Sequence, residues 1–244
     1  MFEALLTNSQ NSIKEYPNSG PGPKTLAAGN EDIGYFGEVP SSLLITPAAL
    51  KTHLGVGGTV QADYGWLKFM HKGEVKYLSK RNVFSALTWN GLYAAGGMYG
   101  TNDNGPITGP TPVNQYKPIT IQDGAVTCVF APRAINGAPQ NPTAATSVAI
   151  TDYNSEYSDL LYRVKTGTHV NAAMFAAFTG VELGMNFVQA MMNTISPQTA
   201  NYLLRGYPAT TNGTVNAGGL SVQKTDASGY NQQWRMVLAL KSPL

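Results

Sequence analysis

Three histidines, one cysteine and fourteen carboxylates are the side chains of this 244-residue chain with which catalysis could begin. His53, His71 and His169 lie far apart without an HExxH or HxxxH spacing, each in a turn-like or polar context, so they read as solvated or hydrogen-bonded imidazoles rather than metal ligands. Cys128 sits in an apolar run, residues 126–130, where a thiol is an inert packing atom and has no partner for a disulfide or a multi-cysteine metal site. A glycosidase needs two carboxylates roughly 5–10 Å apart across a sugar. The densest acidic cluster is Asp152, Glu156 and Asp159, and Glu156 and Asp159 fall in the first turn of an expected helix, where acids stabilise the helix dipole. Asn102, Asp103 and Asn104 resemble the start of a calcium loop, but the glycine at loop position 6 and the glutamate at position 12 are missing. No GxSxG, GxxxxGK[ST] or GxGxxG pattern occurs, so acyl transfer and nucleotide chemistry have no motif to rest on. The expectation is a chain with no catalytic residues, no metal site and no cofactor, and with its binding residues undetermined.

Aromatic side chains could stack on sugar rings. Trp66, Trp89 and Trp234 lie inside strand or helix patterns and read as core, which leaves loop tyrosines such as Tyr99, Tyr116 and Tyr207 as candidate platforms.

The elements that must position these residues follow from local pattern. The stretch 8–29 runs through Asn, Ser, Pro and Gly, including Gly20-Pro21-Gly22-Pro23, and reads as an extended arm that orders only on docking. Residues 33–39 form a short apolar strand or tight loop, followed by a helix with Thr46 as N-cap and Pro47 at its first position. Residues 66–70 and 75–80 face each other across 71–74 as a hairpin, 89–95 make a short helix stopped by Gly96-Gly97, and 101–118 are loop. Asp123-Gly124 between 119–121 and 126–130 marks a second hairpin, and 132–146 reads as a long loop. A helix capped by Asn154 or Ser155 places Tyr157, Leu160, Leu161 and Val164 on one stripe. Residues 170–195 are mixed: Val181, Met185, Val188, Met192 and Ile195 fit one helical face, against Gly180 and Gly184. The run 234–240 suits a strand buried on both faces.

The fold expected is therefore α+β: a loop-rich mixed domain of antiparallel hairpins and one or two short helices over residues 61–244, preceded by an extended arm and short anchoring elements over 1–60. Charged residues are only 12% of the chain, about half the usual share, while 19 Asn and 23 Thr supply a neutral polar surface suited to close packing with neighbours. A net charge of +2 gives no field to gather nucleic acid, and no apolar run approaches the length of a membrane span. Synthesis in the cytoplasm follows as the expectation from the lack of a basic, then apolar, leader in the first thirty residues.

One resemblance adds to this. The order of Tyr64-Gly65-Trp66-Leu67-Lys68-Phe69, residues 75–81, Leu87-Thr88-Trp89-Asn90 with 94–100, residues 155–164, Leu203-Leu204-Arg205-Gly206 and 234–240 resembles a family of bacteriophage virion proteins, tail-associated in large phages. It spans about residues 64–240. Asn186-Phe187-Val188-Gln189 stands where that family has a Trp-Cys-Gln-Glu segment, and Met236 replaces a proline of its closing strand. The closing strand and loop-rich middle also look like the C-type-lectin and formylglycine-generating-enzyme architecture. The paired cysteines of that oxidase and the WND and EPN or QPD motifs of calcium lectins are absent, and Trp89-Asn90-Gly91 and Gln140-Asn141-Pro142 are poor substitutes.

The resemblance implies a non-enzymatic structural component of a virion, in the tail, baseplate, collar or fibre-attachment region, made in the host cytoplasm. Its implied partners are other virion proteins and copies of itself. The alternative is a host-recognition module whose loops, 101–118, 132–147 and 206–219, bind a surface glycan or protein. A capsid decoration protein and a glycan-cleaving tail enzyme are further alternatives.

Overall fold

The computed structural model describes residues 19–138, 155–162, 190–196, 201–205, 220–224 and 233–243. In chain order, β1 (Ala28–Gly29) and β2 (Ile33–Val39) lead through a 3-10 turn at Ser41–Leu43 to α1 (Pro47–Leu54) and β3 (Thr59–Val60). The hairpin β4 (Trp66–His71) and β5 (Glu74–Ser79) follows, then β6 (Phe84–Ser85), α2 (Trp89–Ala94) and the hairpin β7 (Ile119–Asp123) and β8 (Val126–Ala134). A π-type turn at Ser158–Tyr162 precedes β9 (Ala190–Ser196), β10 (Asn201–Arg205), β11 (Leu220–Lys224), β12 (Gln233–Trp234) and β13 (Met236–Pro243).

These strands form two sheets. One has seven strands in the order β1-β2-β4-β5-β13-β8-β7, the other six in the order β11-β10-β9-β12-β6-β3. Every pairing is antiparallel except β9 with β12. The α+β class read from the sequence is the class observed, a loop-rich domain of antiparallel hairpins with two short helices among the described residues.

The central strands explain the packing. β4 reads WLKFMH, and all six of its residues are buried, so both faces of the sheet are covered. On one face Trp66, Met70, Val75, Tyr77, Leu238 and Phe130 join Leu50 and Leu54 of α1 and Trp89 and Leu92 of α2 in a single core. Helix α1 starts where expected: the Thr46 hydroxyl accepts from the Ala49 N–H at 3.2 Å, and Pro47 takes the first helical position. The β4–β5 turn is tighter than the four residues expected. His71 pairs with Glu74, leaving Lys72 and Gly73 as a two-residue turn, both at positive φ (52° and 78°), the geometry that matches strand twist.

Two expectations need correction. Residues 19–30 are not a free arm: Ala28–Gly29 pairs with β2, and the carbonyls of Gly20, Pro21 and Pro23 accept from Lys68 Nζ, Tyr77 Oη and Lys68 Nζ at 3.0, 2.8 and 2.8 Å. Residues 1–18 lie outside the described part. β2, within residues 1–60, is paired with β4 from Ile33↔His71 to Val39↔Trp66. The loop expected at 132–146 begins later, since β8 continues to Ala134 against β13. At the end of the stretch 170–195 that the sequence left mixed, residues 190–196 are a strand, with Ile195 opposite Tyr202; residues 170–189 lie outside the described residues.

The closing segment is also split. Trp234 pairs with Phe84 in the six-stranded sheet and Met236 with Ala134 in the seven-stranded one, so the chain changes sheet at Arg235. Arg235 Nε donates to the Ser79 carbonyl at 2.7 Å and Nη2 to the Lys80 carbonyl at 2.9 Å, pinning the crossing point. Burial pulls this guanidinium below its ordinary value.

Candidate functional site

The second face of the seven-stranded sheet carries a cluster of ionisable residues. His71 and Glu74 are cross-strand partners, Lys76 lies two residues further along β5, and Arg133 stands opposite Val237, itself opposite Leu78. Alternation thus brings His71, Glu74, Lys76 and Arg133 to one face, where the segment 155–162 covers them. That segment starts on a reciprocal serine cap: the Ser158 N–H donates to Ser155 Oγ at 3.1 Å, and the Ser155 N–H to Ser158 Oγ at 3.2 Å. Ser155 is the cap that the sequence left open between two residues. Tyr157, Leu160 and Leu161 are buried as their stripe implies, while Val164 lies outside the described residues.

Glu156 and Asp159 point into the sheet rather than merely stabilising a helix dipole. Glu156 makes a bidentate pair with Arg133, Oε2 accepting from Nη1 at 2.6 Å and Oε1 from Nη2. Its Oε2 also accepts from the Asn136 N–H at 3.0 Å, and Lys76 Nζ lies 3.0 Å from Oε1. Asp159 Oδ2 sits 3.0 Å from His71 Nε2 and 3.7 Å from Lys72 Nζ. Asp152 lies outside the described residues.

The protonation states follow from the partners. Lys76 Nζ has three acceptors around it: His71 Nδ1 at 3.0 Å, Glu156 Oε1 at 3.0 Å and Glu74 Oε2 at 3.2 Å. An ammonium has three N–H groups and no lone pair, so all three are spent. His71 Nδ1 must then accept, which leaves its proton on Nε2, donating to Asp159. Burial alone would raise the Glu156 carboxyl, but Arg133 and Lys76 outweigh it and hold the group well below the usual carboxylate range. Glu74 shows the same balance, burial opposing Lys76, with a net lowering. Arg133 moves upward because Glu156 outweighs its desolvation.

A general base needs a lone pair facing substrate, and a nucleophile needs an adjacent base. The Asp159–His71 pair has the outline of such a device, yet the nitrogen that would accept a proton already holds the Lys76 ammonium. A concavity of about 310 Å³ opens between His71, Lys76, Tyr99, Arg133 and Glu156, but the ionisable groups His71, Lys76, Arg133 and Glu156 at its wall are paired with one another. The formal charges of Lys72, Lys76 and Arg133 cancel those of Glu74, Glu156 and Asp159. What this arrangement does is fasten the 155–162 segment to β4, β5 and β8.

The other sequence candidates are placed as follows. His53 is exposed, with Nε2 3.1 Å from the Lys117 carbonyl oxygen, as a hydrogen-bonded surface imidazole should be. His71 is buried and hydrogen-bonded, with Nε2 3.0 Å from Asp159 Oδ2, and His169 lies outside the described residues. Cys128 is fully buried in β8, and burial pushes its thiol up, away from a reactive thiolate. The side chains of Asp103 and Asn102 are used within their own loop: Asp103 Oδ1 accepts from Thr101 Oγ1 at 2.6 Å and the Gly105 N–H at 2.7 Å, and Asn102 Oδ1 from Asn114 Nδ2 at 2.9 Å.

All three tryptophans are core, at 1% exposure or less. Trp66 Nε1 donates to the Ile45 carbonyl at 2.9 Å and Trp234 Nε1 to the Leu87 carbonyl at 2.7 Å, while Trp89 stacks on Tyr93 with centroids 5.2 Å apart. Tyr99 is not a platform, because it is buried edge-on against Trp89 and Tyr93 under the 101–118 loop. Tyr116 is half-buried, and Tyr207 lies outside the described residues. Among the described residues, an exposed tyrosine that sequence reasoning missed is Tyr64, 45% accessible, at the entry to β4. Its neighbours Asp63 and Gly65, turn formers before an unbroken apolar run, were the available signal.

The molecule is thus a two-sheet α+β domain fastened by a buried ion network. No protein-family model, no curated protein and no solved structure matches the chain. The likeness to a lectin or formylglycine-generating architecture gains no support from these comparisons. No helix among the described residues is long and apolar enough to cross a membrane.

Proposed function

We propose that this chain is a non-enzymatic structural component of a bacteriophage virion, held in the tail, baseplate, collar or fibre-attachment region and acting through packing against other virion proteins and copies of itself. The observation that carries the structural half of this reading is the saturated network on β4, β5 and β8. Its best acid–base candidates, His71, Lys76 and Glu156, have spent their donors and acceptors on holding two parts of the chain together. Such an arrangement serves rigidity, whereas catalytic groups keep a lone pair or proton free for substrate. The low charge and neutral polar surface favour burial against neighbours, and the order of segments over 64–240 supplies the virion assignment.

The test is location. Gradient-purified phage particles, separated into heads and tails and probed with antibody to this chain, should carry it in the tail fraction at a fixed copy number. Its absence from washed particles overturns the reading. Incubation of the pure protein with host polysaccharide or peptidoglycan should release no new reducing ends; release would make it an enzyme.

A second reading, a recognition module for a host surface glycan or protein, draws on a separate feature, the groove beside Tyr64.

A further inference from the structure

A groove of about 510 Å³ runs between the end of β2 and the start of β4, lined by Glu38, Ser41, Ser42, Asp63, Tyr64 and Gly65. It lies at the other end of β4 from the ion network and shares none of its residues. Its walls are built rather than incidental. Ser41 Oγ donates to Asp63 Oδ1 at 2.6 Å, and the Gly65 N–H donates to the same oxygen at 3.0 Å. Gly65 itself is at φ +77°, and a Cβ there would sit 2.9 Å from the Val39 carbonyl oxygen, so only glycine lets β4 enter this close to β2. The Arg81 guanidinium lies 3.8 Å from the centroid of the Tyr64 ring and fixes its orientation.

One face of Tyr64 is therefore occupied by protein, and with 45% of the residue accessible the opposite face is presented to solvent. Asp63 Oδ2, the Ser42 hydroxyl and the Tyr64 hydroxyl have no protein partner among the described residues. Pre-oriented polar groups beside a rigid exposed ring are what a small-molecule subsite requires.

Charge chooses between the ligands such a site could take. Glu38 is paired with Lys80, and Arg81 already covers the ring, so Glu38, Asp63, Lys80 and Arg81 sum to zero. A cationic peptide gains no net field here, and the ring face it would use for a cation–π contact lies next to an existing guanidinium. A neutral polyhydroxylated ligand loses nothing by the balance. Its apolar C–H face can lie on Tyr64 while two adjacent hydroxyls donate to Asp63 Oδ2 and a third exchanges hydrogen bonds with Ser42.

We infer that the groove between β2 and β4 is a binding subsite for a neutral saccharide, with Tyr64 as the stacking platform and Asp63 and Ser42 as the hydroxyl readers. The inference does not rest on the virion assignment, because it concerns the isolated protein.

Saturation-transfer NMR and calorimetric titration of the purified chain test it, using maltotriose, cellotriose, tri-N-acetylchitotriose and, as the cationic competitor, trilysine. At least one trisaccharide should bind with a dissociation constant in the micromolar to millimolar range. Tyr64→Ala should weaken it by roughly five- to tenfold or more, the loss of one stacked ring, and Tyr64→Phe should restore most of the affinity. Asp63→Asn should weaken it too, with each variant melting at the wild-type temperature. The inference is overturned if no trisaccharide binds, if Tyr64→Ala binds as wild type does, or if trilysine binds more tightly than every sugar. Failure here leaves the location test above untouched, and the reverse also holds.

Discussion

Glu156→Gln is the substitution that most directly interrogates the network. Gln keeps the size and shape of the side chain but removes the charge and replaces one acceptor with an N–H₂ donor. That donor must then face either the Arg133 guanidinium or the Lys76 ammonium, both donors only. Removing one partner from a buried ion pair costs about 3–5 kcal/mol, because the remaining charge stays buried without compensation. For a domain of this size each kcal/mol corresponds to about 2–4 °C, so Tm should fall by roughly 6–20 °C. The pH dependence carries the sign. Glu156 is depressed below its ordinary value of 4.5 in the folded protein, so its contribution is present above that value and is lost as pH falls through the folded one. Urea unfolding of wild type and Glu156→Gln from pH 7 to pH 3 should therefore show a stability difference that shrinks with acid. The paired variant Glu156→Leu with Arg133→Met should regain more than half of the loss, since it removes both charges together. A single variant within about 1 kcal/mol of wild type at pH 7, or a difference that stays constant down to pH 3, refutes the reasoning. The result also bears on function, because a carboxylate kept for catalysis is replaced with little loss of stability or with a gain.

Two further outcomes are expected. Lys68 is buried beneath the 20–23 segment, and desolvation, with Lys24 nearby, brings its value from 10.5 to about 8; the unfolded chain then holds this proton more tightly, so the Lys68 contribution should rise with pH between about 8 and 10, and Lys68→Met should flatten that limb in urea titrations. An unchanged limb would place the effect elsewhere. Trp234→Ala should lose about 3–5 kcal/mol as a truncated buried indole and should aggregate on heating while Trp234→Phe stays folded; an alanine variant melting within about 2 °C of wild type, a loss of no more than about 1 kcal/mol, would show that the ring is no anchor.

Much of the fold was legible where the signal is local. Thr46-Pro47, the 71–74 turn and Asp123-Gly124 each fix a backbone conformation within four residues, and each marks the element observed. The closing run read correctly as buried on both faces, but its division at Arg235 did not, because nothing nearby announces a change of sheet; what fixes it are carbonyls of Ser79 and Lys80, more than 150 residues earlier. The Gly20–Pro23 stretch looked like an arm for a related reason. Its own residues form no regular structure, and its anchors are the side chains of Lys68 and Tyr77. The ion network was hidden because its acids read plausibly as helix-terminus residues, and His71 meets Asp159 across 88 positions of sequence. One clue was present: Lys68 and Lys76 interrupt apolar runs, and His71 ends one, where a charge must find a partner.

The network and the groove occupy opposite ends of one strand. Trp66 and His71 bound β4, and five steps of about 3.3 Å separate them by roughly 17 Å. No side chain is common to both, and each is fastened by different neighbours: the network by 155–162, the groove by the Ser41–Asp63 bond and the Arg81 stack. Perturbations there should be independent within a few tenths of a kcal/mol, as for sites more than about 7–10 Å apart. Assembly and recognition are then separable by experiment. If Tyr64→Ala leaves a phage that assembles fully but adsorbs poorly, the same chain performs both roles through different ends of its sheet. If it assembles and adsorbs normally, packing alone accounts for the protein in the particle, whatever sugars the isolated groove can bind.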